Sequence, residues 1–328
     1  MIGQSSSKMK TALPKNSGDQ FMKKIILDTD IGSDCDDAGA LSLLHRLCDL
    51  GECELLATTH CYSTPYVAGC LDAINTYYGR RVSLGINHSA WLDTEGKYAK
   101  ALYDHFPHSY PDAKAVPDSV DVIRQTLDKA EDQSVTLVVI GDFRTISRLL
   151  YSTPDSFSSL SGKDLIAKKI DRTVIMGGRF YESWPMTIRA DDKPDGKIVD
   201  WEWNIHGAIA DAQTICREWP GALVFSSYEI GNYIKTMVGF PEKVSLSHPV
   251  GLAYEVFNHG KGRCSWDHTA VLEAIRPNQY WNYHEFGKIS VDDEGITHWE
   301  KQENGKHSFL LPKVDYEDIR SVIDDLVQ

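Results

Sequence analysis

Ile26-Leu27-Asp28-Thr29-Asp30-Ile31-Gly32-Ser33-Asp34-Cys35-Asp36-Asp37-Ala38 sets five carboxylates within ten residues, between an apolar run and an amphipathic one. Residues 25–29 are short and mostly apolar, which suits a strand buried on both faces of a parallel sheet. Residues 37–50 carry Ala40, Leu43, Leu44 and Leu47 on one helical face. The acids therefore sit at a strand-to-helix junction. Asp28 and Asp30 share one face of the strand by its two-residue period, and Asp36 and Asp37 open the helix. Helix capping explains one or two aspartates at such a place. It does not explain five, because carboxylates this close repel and raise one another's pKa unless a cation neutralises them. All-oxygen ligation selects a hard cation, calcium or magnesium. An EF-hand loop fits poorly, since its downstream bidentate Glu is missing and a strand precedes.

Outward from this motif, strand and helix patterns alternate. Residues 55–59, 135–140, 173–176 and 222–226 read as strands, and Gly141 and Gly177-Gly178 follow two of them. Residues 67–78, 117–129 and 208–217 read as helices, the first stopped by Gly79. Such alternation predicts an α/β fold, a single domain with a mostly parallel central sheet and helices on both faces. Ligands then bind beyond the carboxyl ends of the strands, so the acidic cluster and the glycine turns are expected on one rim. Residues 288–291 and 296–299 flank Asp292-Asp293-Glu294-Gly295 as a hairpin. Residues 179–200, rich in Pro, Gly and charge, are expected to form a long loop over that rim. The domain is expected to span 23–328, with 1–22 a disordered tail or an expression remnant.

Composition narrows the partners. The 328 residues carry a formal net charge of −13, with 42% hydrophobic and 10% aromatic residues. That fits a globular core and argues against nucleic acid, which draws affinity from clustered Lys and Arg. Seven cysteines, an odd number with no CxxC pair, suit a reducing compartment. No apolar run reaches membrane-spanning length, and the first twenty residues lack the apolar core of a signal peptide. The expected placement is cytoplasmic, with no membrane partner.

The run DTDIGSDCDDAGAL resembles the N-terminal signature of the nucleoside hydrolases, the inosine–uridine-preferring group and its bacterial relatives. Leu56-Ala57-Thr58-Thr59, Met176-Gly177-Gly178, Trp201-Glu202-Trp203-Asn204 and Ser265-Trp266-Asp267-His268-Thr269-Ala270-Val271 resemble further segments of that family in the same order. The resemblance implies calcium-dependent cleavage of the N-glycosidic bond of a nucleoside or related riboside, a place in purine or pyrimidine salvage, and a homodimer or homotetramer. It implies Asp30 as calcium ligand and water-activating base, Asp37 and Asp267 as further ligands with the Ile140 carbonyl, Asp36 on a ribose hydroxyl, and Glu202 and Asn204 on others. Carboxylates suit this reaction because its transition state is oxocarbenium-like and positively charged. The resemblance thins on the base side. Ser63 stands where the family often has Asn, Gly196 lies near a second lost Asn, Trp266 replaces a histidine, and Gly141-Asp142-Phe143-Arg144-Thr145 replaces the usual turn.

Trp266 is a further candidate for substrate contact, as is His60 at the end of the second strand, and His268 adjoins Asp267. Trp184 and Trp201 are possible stacking faces, whereas Trp203 is assigned to the core. Glu229 is read as a rim residue or a helix cap. Cys35 and Cys61 lack a base partner and are not read as nucleophiles. Two rival readings remain. A haloacid-dehalogenase-type phosphatase would also place Asp-x-Asp after a buried strand, but Gly32 stands where Thr or Val is normal. A non-catalytic calcium-dependent sugar or nucleoside binder would keep the same ligands.

Overall fold

Twelve strands organise the chain in a computed structural model that describes residues 22–180 and 201–327. They are β1 (Lys23–Thr29), β2 (Cys53–His60), β3 (Ser83–Ile86), β4 (Val135–Val139), β5 (Ile170–Met176), β6 (Leu223–Ser226), β7 (Lys235–Val238), β8 (Lys261–Cys264), β9 (Trp281–Tyr283), β10 (Lys288–Val291), β11 (Thr297–Glu300) and β12 (His307–Pro312). Eight form one sheet in the order β3-β2-β1-β4-β5-β6-β12-β9. All neighbouring pairs in it are parallel except β12 with β9. Two ribbons, β10-β11 and β7-β8, lie outside it.

The sheet forms where apolar, β-branched runs are long enough to be covered on both sides. Every residue of β4 (Val-Thr-Leu-Val-Val) is buried, although successive side chains point to opposite faces, so both faces are packed. Helices Cys35–Asp49 and Trp266–Ile275 pack on each other, and the latter also lies on β4 and β5; helix Ser119–Lys129 covers β2 and β3. The expected α/β architecture is the one observed. Among the described residues, no helix is long and apolar enough to cross a membrane.

Three central-sheet strands escape the sequence patterns. β3 is four residues long and contains Gly85, β9 is three long, and β12 opens on His307-Ser308. Each is too short or too polar at its start to show a period. The expected tail falls almost wholly within residues 1–21, outside the described residues. The expected rim loop falls mainly within 181–200, also outside them, together with Trp184 and Gly196.

What matters for function is the turning point in strand order. The chain leaves β1 for β2 and β3 on one side and then returns to place β4 on the other. The carboxyl ends of β1 and β4 therefore bound the crevice where ligands bind in sheets of this kind. Ile140 N–H donates to the Asp28 carbonyl at 2.8 Å and Cys61 N–H donates to the Thr29 carbonyl at 3.0 Å, holding the three strand ends together. Gly141 is needed there for space. A Cβ on it would lie 2.7 Å from Thr29 C, 2.8 Å from Asp30 N and 2.9 Å from Cys61 Sγ. Two of these are backbone atoms that cannot swing aside. Gly141→Ala is expected to lower stability by about 1–3 kcal/mol, the usual range for overpacking. Gly207→Ala, where nothing lies within 4 Å of the added carbon, is expected to change it little. Urea unfolding of the two variants checks this, and equal midpoints would refute the steric account.

Candidate active site

The acidic loop begins where β1 ends. Thr29 Oγ1 donates to an Asp37 carboxylate oxygen and accepts from Ile31 N–H at 3.1 Å, so the loop is folded back on the first turn of the helix. Gly32 has φ +112°, a conformation that side chains rarely adopt, and Ala99 Cβ would lie 2.9 Å from a Cβ there. Tyr98 pins both ends of the turn: Gly32 N–H donates to its hydroxyl at 2.9 Å, and the hydroxyl donates to the Asp34 carbonyl at 2.7 Å. Asp34 caps helix Cys35–Asp49 by accepting from Cys35 N–H at 2.7 Å. Capping thus explains one of the five acids.

Three carboxylates converge next to it. Asp36, Asp37 and Asp267 are buried, and each offers an oxygen within 4.8 Å of the other two. Asp267 opens helix Trp266–Ile275, and its N–H donates to Asp36 at 3.2 Å. Among the described residues, no donor reaches the Asp267 carboxylate. Burial, then repulsion among the acids, drives the pKa of Asp36, Asp37 and Asp267 far above the ordinary carboxylate range. Asp30 beside them is pushed up to about 7, again mainly by burial. Among the described residues no Lys or Arg forms an ion pair with Asp36, Asp37 or Asp267, and such a buried, donor-poor set of oxygens has the donor chemistry of a hard divalent ion, so these residues fit one.

Asp30, Asp36, Asp37, Asp267, Ile140, Glu202, Asn204 and Trp266 all line one cleft of about 570 Å³. Glu202 caps the short helix Trp203–Gly207, accepting from Asn204 N–H at 2.8 Å and Ile205 N–H at 3.1 Å, and it also accepts from Gly178 N–H at 3.2 Å. Burial lifts its pKa to about 7. Asn204 Nδ2 donates to the Ile140 carbonyl at 3.0 Å and to the Met176 carbonyl at 3.2 Å. The variant turn after β4 has its own logic: Asp142 pairs with Arg144, whose Nη2 donates to the Gly207 carbonyl at 2.6 Å, tying the turn to that helix.

Two expectations are corrected. His60 does not reach the cleft. It is fully buried, its ring nitrogens lie 3.0 Å from Ile31 O and 2.6 Å from Tyr62 O, and burial lowers its pKa to about 4. It braces the loop instead. Trp203 is not core: it is 71% exposed and lines the cleft with Trp201. The indole N–H of Trp266 is committed to the Tyr228 carbonyl at 3.0 Å, and its ring lines the cleft with Tyr228 stacked on it and the Arg263 guanidinium 4.8 Å from its centre. Glu229 is buried, accepting from Phe180 N–H at 3.0 Å, and Ser63 and His268 are buried outside the cleft lining. Burial pushes the Cys35 and Cys61 thiols up, so neither supplies a ready thiolate.

Sequence reasoning missed Lys97, Tyr228 and Arg263, which also line the cleft, as does Arg179, the first residue of the expected rim loop. Arg263 is held by Asp34, with Nε 3.0 Å from both carboxylate oxygens and Nη2 2.5 Å from one. Only its position four residues before Asp267 hinted at a role.

In this geometry the chain resembles solved nucleoside hydrolases. An inosine–guanosine nucleoside hydrolase superposes with a TM-score of 0.67 at 19% identity, covering 93% of this chain and 98% of that one. The inosine–uridine-preferring nucleoside hydrolase from Bacillus anthracis gives 0.65 at 16%, covering 93% and 99%. The type III effector XopQ, solved with adenosine diphosphate ribose, gives 0.64 at 16%, covering 94% and 93%. No family model and no curated protein matches the sequence. This chain therefore has the nucleoside hydrolase fold.

Raised carboxylate pKa values carry a sign for stability. A native state that binds more protons than the unfolded chain loses stability as pH rises. Asp28 and Asp30 move from 3.8 to about 8 and about 7, and the three clustered aspartates move the same way. As far as these groups decide, the chelated protein should therefore be most stable below about pH 4, where folded and unfolded chains are both protonated. It should lose stability progressively toward pH 8. Thermal unfolding in EDTA across that range measures it, and a melting temperature that rises from pH 5 to pH 8 would contradict the assignment.

Proposed function

We propose that this chain hydrolyses the N-glycosidic bond of a ribonucleoside or related riboside in a calcium-dependent reaction. The observation that carries this reading is the buried carboxylate cluster at the strand-order switch, opening into an aromatic-walled cleft on a nucleoside hydrolase fold. Asp37, Asp267, Asp30 and the Ile140 carbonyl would hold the calcium, which when bound supplies a lowered water pKa and a template for sugar hydroxyls. Asp30 accepts the proton of the attacking water. Its place in the cleft beside the other carboxylates puts it where a water held by the cluster would lie. Asp36, Glu202 and Asn204 bind ribose hydroxyls, and the remaining carboxylate charge stabilises the oxocarbenium-like sugar. The exposed Trp203 offers a flat face for a base, with the stacked Tyr228–Trp266 pair as a further aromatic part of the cleft wall. Solved proteins with this fold include nucleoside hydrolases and an effector complexed with adenosine diphosphate ribose, so riboside-containing ligands suit the fold.

Two expectations test this assignment. Asp37→Asn and Asp267→Asn should lose bound calcium. Asp36→Asn should retain it and lose riboside affinity, although its oxygen lies equally close to the cluster. Asp30→Asn, assayed with its calcium content confirmed, should lower kcat by about 10²–10⁴-fold, the usual contribution of a general base. Metal analysis by mass spectrometry and riboside hydrolysis measure both; a calcium-loaded Asp30→Asn enzyme with full activity rejects the base.

The leaving group gives the second expectation. Among the described residues lining the cleft there is no histidine, and the Trp266 N–H is already used. A substrate that needs little protonation is then favoured. An activated aryl riboside should outrun inosine, which accepts a proton at N7 from solvent, and inosine should outrun uridine. Comparison of kcat/KM for the three decides it. Uridine as the best of them would show that a side-chain acid is present.

A further inference from the structure

We propose that the cleft is built for a phosphorylated riboside, with Lys97 and Arg263 as its phosphate-binding pair; this rests on the riboside reading above. The two cations approach a single ring: Lys97 Nζ lies 4.7 Å and the Arg263 guanidinium 5.5 Å from the centre of Phe257. Both line the cleft. Arg263 already has Asp34 as its anion, so the charge left without an ion pair among the described residues is that of Lys97.

Arg263 spends Nε and Nη2 on Asp34, and among the described residues Nη1 meets no acceptor. That bidentate grip, with the guanidinium also 4.8 Å from the Trp266 ring centre, fixes the outward edge. Lys97 makes no ion pair among the described residues. The Arg263 Nη1 and the Lys97 ammonium thus keep donors free at the edge of an otherwise acidic cleft, and a phosphate accepts from both groups at once.

Lys97 is placed and not merely nearby. Its N–H donates to the Gly32 carbonyl at 2.8 Å, and the next residue, Tyr98, is the one that pins Gly32 and Asp34. The preceding Gly96 has φ +67° and packs on Gly32, where an added Cβ would lie 2.8 Å from Gly32 O. The segment that carries the lysine is thus locked to the loop that carries Asp30 and Asp34. Charge at the mouth and carboxylates at the floor are held in one rigid unit, which distinguishes this pair from lysines scattered on a surface.

The test compares ribose 5-phosphate, ribose and inorganic phosphate as ligands of the calcium-loaded protein by calorimetry, with inosine 5′-monophosphate and inosine as substrates alongside. Ribose 5-phosphate should bind at least about tenfold more tightly than either part, as expected for a charge-assisted contact. Lys97→Ala should remove most of that preference, and Lys97→Glu should reverse it. The exposed position of Lys97 lets both variants fold. Equal binding of ribose and ribose 5-phosphate overturns the proposal, as does no binding of ribose 5-phosphate at millimolar concentration. A preference that survives both lysine variants overturns it too, and inorganic phosphate binding as tightly as the sugar phosphate would make this a free-anion site instead. Because binding is read without turnover, a chain that cleaves inosine but ignores the phosphate refutes only this inference. A chain that binds the sugar phosphate through Lys97 but cleaves no riboside refutes only the hydrolase reading.

Discussion

Buried carboxylates repel one another, and the site depends on how that repulsion is relieved. Asp36, Asp37 and Asp267 converge from two helices that pack together, so the fold itself forces the contact. In water such groups would separate or stay apart by solvation; here the helix packing leaves neither option. Two routes remain, protonation or a cation. Protonation leaves acids with little to donate to, whereas a divalent ion uses every oxygen. The same constraint explains why the surrounding loop is so heavily pinned, by Thr29, Tyr98 and the Asp34–Arg263 pair. A loose loop would let the acids drift apart.

The sheet supplies the other half of the site. The strand-order reversal at β1 and β4 opens a crevice, and the absence of a Cβ at Gly141 lets the two strand ends approach. Glu202 and Asn204 then join β5, the β4 end and the short helix after residue 200 into one wall. These two polar side chains hold backbone as well as facing the cleft. Their loss would disturb the wall's shape together with any hydroxyl they bind, so effects on affinity and on turnover should be read together.

Much of this was legible in the sequence, for a physical reason. Five aspartates at the end of a buried strand contradict ordinary burial preferences, so Asp30, Asp36 and Asp37 stood out, and Asp267 followed from the resemblance. The parallel sheet was legible because β1, β2 and β4 are apolar enough to be covered on both sides. What stayed hidden was set by long-range placement. Lys97 reaches the cleft through a backbone bond to Gly32, far from it in the chain, and Arg263 arrives on a ribbon outside the main sheet. Trp203 was misread because helix Trp203–Gly207 is a single short element capped by Glu202, with its first residue turned outward. His60 was misread because a strand-end side chain has two faces to choose from, and the Ile31 carbonyl claims it.

The central claim is that this acidic cluster is a divalent-cation site whose ligands shed protons on binding. Calcium titration by calorimetry near pH 6.5, in two buffers of different ionisation enthalpy, measures stoichiometry and proton release together. The account expects one ion per chain with net release of protons into the buffer. Calcium that fails to bind, or that binds with no proton release, would contradict it.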